Sequence, residues 1–462
     1  MRDPVGSRTG AVVEAIRRRL AVPGLAAGER LPSIRGLAAS LGVSPSTVVE
    51  AYDRLVAEGA IRARPGAGFY ASRPAAALAL ADAATPADRA IDPLWVSRQS
   101  LDAAPGMLKP GCGWLPAGWM PQAALRRALR DLARAEDPLL ADYGEARGSP
   151  ALRRLLSRRA ADDGIDAGPD HVLLTASGTQ ALDLVCRALL RPGDTVLLDD
   201  PGYFNFQALM RAHRVTVVGV PHTPAGPDPA RFAEILAAHQ PRLYVANAAI
   251  HNPTGATLSP QVAHRVLTAA AAHDLTVVED DIFADLEPEP SPRLAALDGL
   301  ERVIRIGSFS KTLSASVRCG YVVARPDRIA ALTDLQVATG FGGPSPVAAQ
   351  LVHGILGDGS YRRHIDALRR RLSRARREVA SRLADLGIVP WLVPRGGFSL
   401  WCRLPEGRDA AEVARAALAE GVVLAPGAVF SPSRSSTDFM RFNVAQMGEP
   451  RIYDVLGRAL RH

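Results

Sequence analysis

From about residue 106 onward, short runs rich in Val, Ile and Leu alternate with amphipathic stretches: HVLLTA, TQALDLVCRALL, TVLLDD, FNFQALMRA, VTVVGV, LYVANA, LTVVEDD and VIRIGS. Strands that are apolar throughout have no polar face to offer water, so they require cover on both sides. The pattern predicts an α/β fold built on a mostly parallel sheet with helices on both faces, in which ligands gather at the carboxyl ends of the strands. At 462 residues the chain is too long for one ordinary core, and two or three domains are expected. No apolar run approaches the roughly 20 residues of a membrane span, and MRDPVGSRTG lacks a signal peptide's apolar core. A cytoplasmic protein with no membrane partner is therefore expected. Cys112, Cys186, Cys319 and Cys402 have no CxxC spacing, which fits a reducing compartment and argues against a metal site.

Residues 1–72 carry ten arginines and six acids, half of the chain's net charge of +8. A basic segment makes nucleic acid a candidate partner. TGAVVEAIRRRL has apolar residues at helical spacing and reads as a first helix. Pro32 and Ser33 open a short helix that runs to Leu41 and closes at Gly42. Ser44 caps a further helix, with Pro45 at its first position and Val48, Val49, Tyr52, Leu55 and Val56 on its apolar face. Two short helices joined by a tight turn have the geometry of a helix-turn-helix. IRAR and GFYAS then flank Pro65-Gly66-Ala67-Gly68 as a small basic hairpin. Beyond it, RPAAALALADAATPADRAIDPL reads as a linker whose alanines equally suit a short helix.

Among 55 basic residues only Lys109 and Lys311 are lysines. A primary amine forms a Schiff base and loses its proton when desolvated, which a guanidinium does not. Lys311 lies in GSFSK, directly after the predicted strand VIRI. An aldehyde cofactor with a phosphate and a pyridine ring needs an amine, donors at a helix N-terminus, a stacking aromatic and a carboxylate for the ring nitrogen. Gly178, Thr179 and Gln180 follow HVLLTA and open a helix, Tyr203 follows TVLLDD, Asn252 follows LYVANA, and Asp280 ends VVEDD. Ser308 precedes Lys311 and Arg318 lies seven residues beyond it. Singly, each has a plainer reading: Asp280 as a helix cap, Asn252 as the turn former of NPTG, Lys311 as a surface residue. Their common position at strand ends favours the cofactor.

Two resemblances follow from these motifs. LPSIRGLA, LGVSPSTVVEAYDRL and RPGAGFY resemble the winged helix-turn-helix of the GntR family of bacterial transcription regulators. That resemblance implies that Arg35, Ser44, Ser46 and Thr47 face double-stranded DNA, with Arg64 and Gly66 on its backbone or minor groove. YGEARGSPALRRLL, SGTQALDL, HNPTG, VVEDD, SFSKTLSASVRCGY and FMRFNVA resemble the fold-type I aminotransferases, which use pyridoxal 5′-phosphate and have a smaller C-terminal α+β subdomain. By position, Lys311 would form the aldimine, Asp280 would pair with the pyridine nitrogen and Asn252 would bind the ring hydroxyl. Ser308, Arg318, Gly178, Thr179 and Gln180 would hold the phosphate, while Tyr203 would stack on the ring. Tyr143 would reach the phosphate of a neighbouring subunit, implying a homodimer, and Arg441 would grip a substrate carboxylate. Phe283 departs from the pattern, because many relatives have a tyrosine there that bonds the ring hydroxyl.

The combination resembles the MocR subfamily of GntR regulators. It implies a reader at 1–73, a linker at 74–105 and an aminotransferase-like domain at 106–462. The expected function is a DNA-binding transcription regulator that senses an amino-containing effector through an external aldimine. The alternatives are an aminotransferase with an accessory DNA-binding domain, and a sensor of the cofactor itself.

Overall fold

The computed structural model describes residues 8–20, 29–72 and 91–461. The chain divides into two compact units, Met1–Thr85 and Pro86–His462.

In the smaller unit, helices α1 (Arg8–Leu20), α2 (Ile34–Leu41) and α3 (Pro45–Ala57) precede a hairpin of β1 (Ile61–Arg64) and β2 (Gly68–Ala71). The capping residues sit where the sequence places them. Ser33 Oγ accepts from Gly36 N–H, Gly42 closes α2 in the left-handed region, and Ser44 Oγ accepts from Thr47 N–H. Val48, Ala51, Tyr52 and Leu55 face the core, together with Val12, Val13, Ile16 and Ile61. Val49 and Val56 do not join them and are exposed. With 3.6 residues per turn, positions 48, 51, 52 and 55 form one stripe and each exposed valine falls a step outside it. Tyr52 Oη donates to Pro32 O at 2.7 Å, tying α3 to the start of α2.

In the larger unit, the main sheet comprises β3 (Val172–Thr175), β4 (Thr195–Asp200), β5 (Thr216–Thr223), β6 (Gly226–Pro227), β7 (Leu243–Ala246), β8 (Thr276–Asp280), β9 (Val303–Ser308) and β10 (Gly320–Val323). Their order is β3-β10-β9-β8-β7-β4-β5-β6. The run β9-β8-β7-β4-β5 is parallel, whereas β10 is antiparallel to both β9 and β3. Hence β3, β4, β7, β8 and β9 all point the same way, and their carboxyl ends share one edge. β3, β7 and β9 are buried along their whole length, as apolar runs covered on both faces must be. Arg305 is the charged exception inside β9, and its guanidinium pairs with Asp281 and with Asp163 at 2.6 Å.

A smaller antiparallel sheet, β11 (Val389–Pro390), β12 (Ser399–Arg403), β13 (Ala425–Pro426) and β14 (Phe439–Asn443), has the order β11-β12-β14-β13. Arg441 sits in β14 opposite both Trp401 and Ala425. Residues 74–90 of the expected 74–105 linker lie outside the described residues. Its last part is structured: helix α4 (Trp95–Leu101) buries Trp95 and Val96 in the core of the larger unit. Its alanine-rich surroundings obscured that anchor. Among the described residues no helix is long and apolar enough to cross a membrane.

Candidate functional site

The shared edge of the strands opens onto a cavity of about 190 Å³ lined by Gly178, Thr179, Tyr203, Asn252, Asp280, Ser308, Lys311 and Arg318 among others. Eight residues singled out from the sequence, spread over 141 positions, therefore face one space. Lys311 Nζ donates to Gly113 O at 2.7 Å. Burial, and then the positive charge of Arg441, lowers its pKa to about 8. About a tenth of such an amine is unprotonated at pH 7. Asp280 is buried at the end of β8, and burial pushes its carboxyl up to about 7 against the opposing pull of Ile282 N–H on Oδ1.

The helix Gly178–Leu189 points its N-terminus at the cavity, where first-turn N–H groups have no intrahelical partner. Ser177 Oγ accepts from Gln180 N–H at 3.0 Å, and Gln180 Oε1 accepts from Ala176 N–H at 2.6 Å. Gln180 is thus engaged in the cap and does not line the cavity, unlike Gly178 and Thr179. Gly320 in β10 makes this turn possible. A Cβ there would stand 2.6 Å from Ser177 C and 2.8 Å from Gly178 N. Ser308 Oγ accepts from Ser310 N–H at 3.2 Å, which brings Ser310 into the same cup. Arg318 lines the cavity with its backbone at φ +53°, and makes no ion pair among the described residues.

Asn252 Oδ1 accepts from Arg441 Nη1 at 2.9 Å, while Arg441 Nη2 donates to Gly111 O at 2.6 Å. Arg441 is wholly buried behind the cavity rather than in its wall, and burial lowers its pKa to about 10. Its Nε has no hydrogen-bond partner among the described residues, and its guanidinium lies 4.9 Å from the Phe430 ring. Asn247 links the turn to β8: its Oδ1 accepts from Asn252 N–H and its Nδ2 donates to Asp280 O. Sequence reasoning did not find Asn247, Gly111, Gly113 or Ser310. Gly111 carries a signal only in three dimensions, since a Cβ there would sit 2.4 Å from Leu424 C. Phe283 is buried in the cavity wall against Phe398, with no hydroxyl to offer. Tyr143 is absent from this cavity: its side chain is 82% exposed, against the Phe341 ring.

In the smaller unit, Ser44, Ser46 and Thr47 bring their hydroxyls together at the N-terminus of α3, with Ser44 Oγ 2.8 Å from each of the other two. Arg35 is exposed on α2, and Gly66 turns the hairpin at φ +73°. Arg64 lies over the Tyr70 ring at 4.6 Å.

Residues 114–458 match the aminotransferase class I and II family, and residues 8–71 match the bacterial regulatory proteins of the gntR family. The chain belongs to the GntR-type regulators that carry an aminotransferase domain. It is 32% identical to the HTH-type transcriptional regulator TauR of Rhodobacter capsulatus, covering 94% of this chain and 92% of TauR. The HTH-type transcriptional regulator YdcR of Escherichia coli is 30% identical, over 95% of each chain. The α-aminoadipate aminotransferase LysN of Thermus thermophilus, solved with N-(5′-phosphopyridoxyl)-L-leucine, is 27% identical. It covers 79% of this chain and 94% of its own, with a TM-score of 0.73. The fold of this family is therefore an α/β aminotransferase fold joined to a helix-turn-helix reader, and the chain is a transcription regulator.

Proposed function

We propose that the larger unit binds pyridoxal 5′-phosphate and that an amino-containing effector acts there to change how the smaller unit binds DNA. The observation that carries this reading is a buried carboxylate and a half-buried amine facing one cavity beside a helix N-terminus. The residues fit the group. Asp280, whose pKa burial raises to about 7, makes no ion pair among the described residues, and a protonated ring nitrogen would supply a cationic partner. When bound, the cofactor supplies an aldehyde that primary amines attack and an electron-withdrawing ring.

Lys311 would hold the aldehyde carbon, its lowered pKa making the free amine available near neutrality. Gly178 and Thr179 N–H groups, with Ser308, Ser310 and Arg318, would bind the phosphate, and Gln180 would serve only to brace the turn. Tyr203 would stack on the ring. Asn252, whose Oδ1 is taken by Arg441, keeps Nδ2 to donate to the ring hydroxyl. Arg441 would release Gly111 O to grip an effector carboxylate with both nitrogens. Exposed Tyr143 supports a homodimer in which it reaches the partner's phosphate site. Arg35, Ser44, Ser46, Thr47, Arg64 and Gly66 would meet DNA, and a role at DNA supports a cytoplasmic protein.

Phe283 favours sensing over rapid turnover, because Asn252 is left as the donor to the ring hydroxyl. The eight cofactor-facing groups that share the cavity favour a second reading, an aminotransferase with an accessory reader. Steady turnover of an amino donor and a keto acceptor would select the enzyme. Borohydride treatment of the cofactor-loaded chain should fix the cofactor on the peptide containing Lys311, read by mass. Lys311→Ala should keep its basal affinity for DNA and lose the response to effector. No adduct at Lys311 in wild type, or an adduct at Lys109 instead, would overturn the cofactor assignment.

A further inference from the structure

Helix Ser360–Ala384 carries nine arginines against Asp366 and Glu378, a surplus of seven in a chain whose net charge is +8. Residues 1–72 hold a further surplus of four, so everything else in the chain together has three more acids than bases. An arginine-rich composition therefore does not account for this helix. Its charge is concentrated on an otherwise acidic unit.

Tyr361, Ile365, Leu368, Leu372, Val379 and Leu383 form the buried face of the helix. Arg363, Arg370, Arg374 and Arg377 follow one another at spacings of seven, four and three residues, and all four are exposed. At about 100° per residue they fall within roughly 60° of arc on the side away from the core, along a stripe about 21 Å long. Other arginines of the helix are engaged with the protein. Arg369 Nε donates to Asp285 O, Arg371 covers the Trp119 ring, Arg376 donates to Gly397 O, and Arg382 covers the Tyr453 ring. The four of the stripe make no ion pair among the described residues; Arg377 donates to Ser373 Oγ. Like charges three and four residues apart on a helix repel one another, and a polyanion would remove that cost.

We infer that this stripe is a second nucleic-acid contact, binding the phosphate backbone of duplex DNA without reading bases. The inference rests on the reading of the chain as a DNA-binding regulator. One DNA strand presents a phosphate about every 3.4 Å of axis, so the stripe faces about six of them. Guanidinium forks suit phosphate oxygens, and such contacts position a protein without specifying sequence. An anionic membrane fits less well, because no large apolar side chain of the helix is exposed beside the stripe to enter a bilayer.

The test compares full-length wild type with a variant carrying R363Q, R370Q, R374Q and R377Q, glutamine being a good helix former. Each protein is titrated with promoter duplex and with random duplex between 50 and 200 mM salt. Each phosphate contact contributes about 0.9 to the slope of log affinity against log salt, so the variant's slope should be shallower by up to about 3.6. Wild type should lose up to about a hundredfold more affinity than the variant across that range. The preference for promoter over random duplex should be unchanged, and lysine at the four positions should restore the slope. An unchanged slope overturns the inference, as does a variant that loses the promoter preference. Loss of binding to anionic phosphatidylserine vesicles with an unchanged DNA slope would assign the stripe to a membrane instead. Arg64→Ala should weaken promoter binding alongside. If it does while the stripe variant matches wild type, the inference falls and the regulator reading stands. If wild type does not prefer the promoter at all, the regulator reading falls and the slope still decides the stripe.

Discussion

Burial of Asp280 sets a cost in stability against the role proposed for it. Burial holds its carboxyl near 7, whereas an unfolded aspartate titrates near 3.9. Between about pH 4 and 7 the folded, cofactor-free chain binds a proton that the unfolded chain has lost, so this group's contribution to stability declines as pH rises through that window. Above 7 the full cost is present. Asp280→Asn removes it, and the cofactor-free variant should melt a few degrees above wild type at pH 8, with the difference narrowing toward pH 4. The same variant should hold pyridoxal phosphate far more weakly, because an amide cannot keep a ring nitrogen protonated. Melting curves at two pH values, with and without the cofactor, check both signs. A variant neutral in both measurements would make Asp280 a bystander.

At the scale of the element, α3 exposes a limit of reading apolar faces from sequence. Leu55 is fully buried, while Val56 beside it is exposed. Leu55→Ala should destabilise the smaller unit by about 2–5 kcal/mol and sharply weaken DNA binding, whereas Val56→Ala should change its stability by less than about 0.5 kcal/mol. Neither should alter the cofactor's absorption. Equal effects from the two would mean that the helix is turned from the orientation described. The sheet strands were easier to read, because a run buried on both faces announces itself by composition without any choice of phase. Gln180 illustrates the opposite case. Its position in SGTQ matches a phosphate cup, yet Ser177 captures its N–H and Ala176 its side chain.

For the whole molecule, the two units have separate cores, one around Val48 and Tyr52 and the other around the main sheet. Calorimetry should show pyridoxal phosphate raising only the transition of the larger unit, by about 2.7 kcal/mol at a hundredfold excess over the dissociation constant. A cofactor-dependent rise in the transition of the smaller unit would show instead that the two melt together. Lys311→Ala should reduce the rise without moving the transition of the smaller unit.

The alternation of apolar runs and amphipathic helices determined the sheet, because strand and helix periods are local properties that neighbours along the chain display. The capping serines and Gly42 determined the reader's helix ends for the same reason. Sequence also placed Asp280 at the end of its strand, and Tyr203, Lys311 and Asn252 in the loops that follow theirs. Tertiary structure alone decided what holds them. Lys311 meets Gly113 from 198 positions away, Arg441 meets Asn252 from 189 and Gly111 from 330. Those pairings depend on strand order and on close backbone approach at Gly111 and Gly320, which no local pattern encodes. Arg441 was therefore legible as an arginine in the right motif, but its enclosure was not, because burial is a property of the assembled fold.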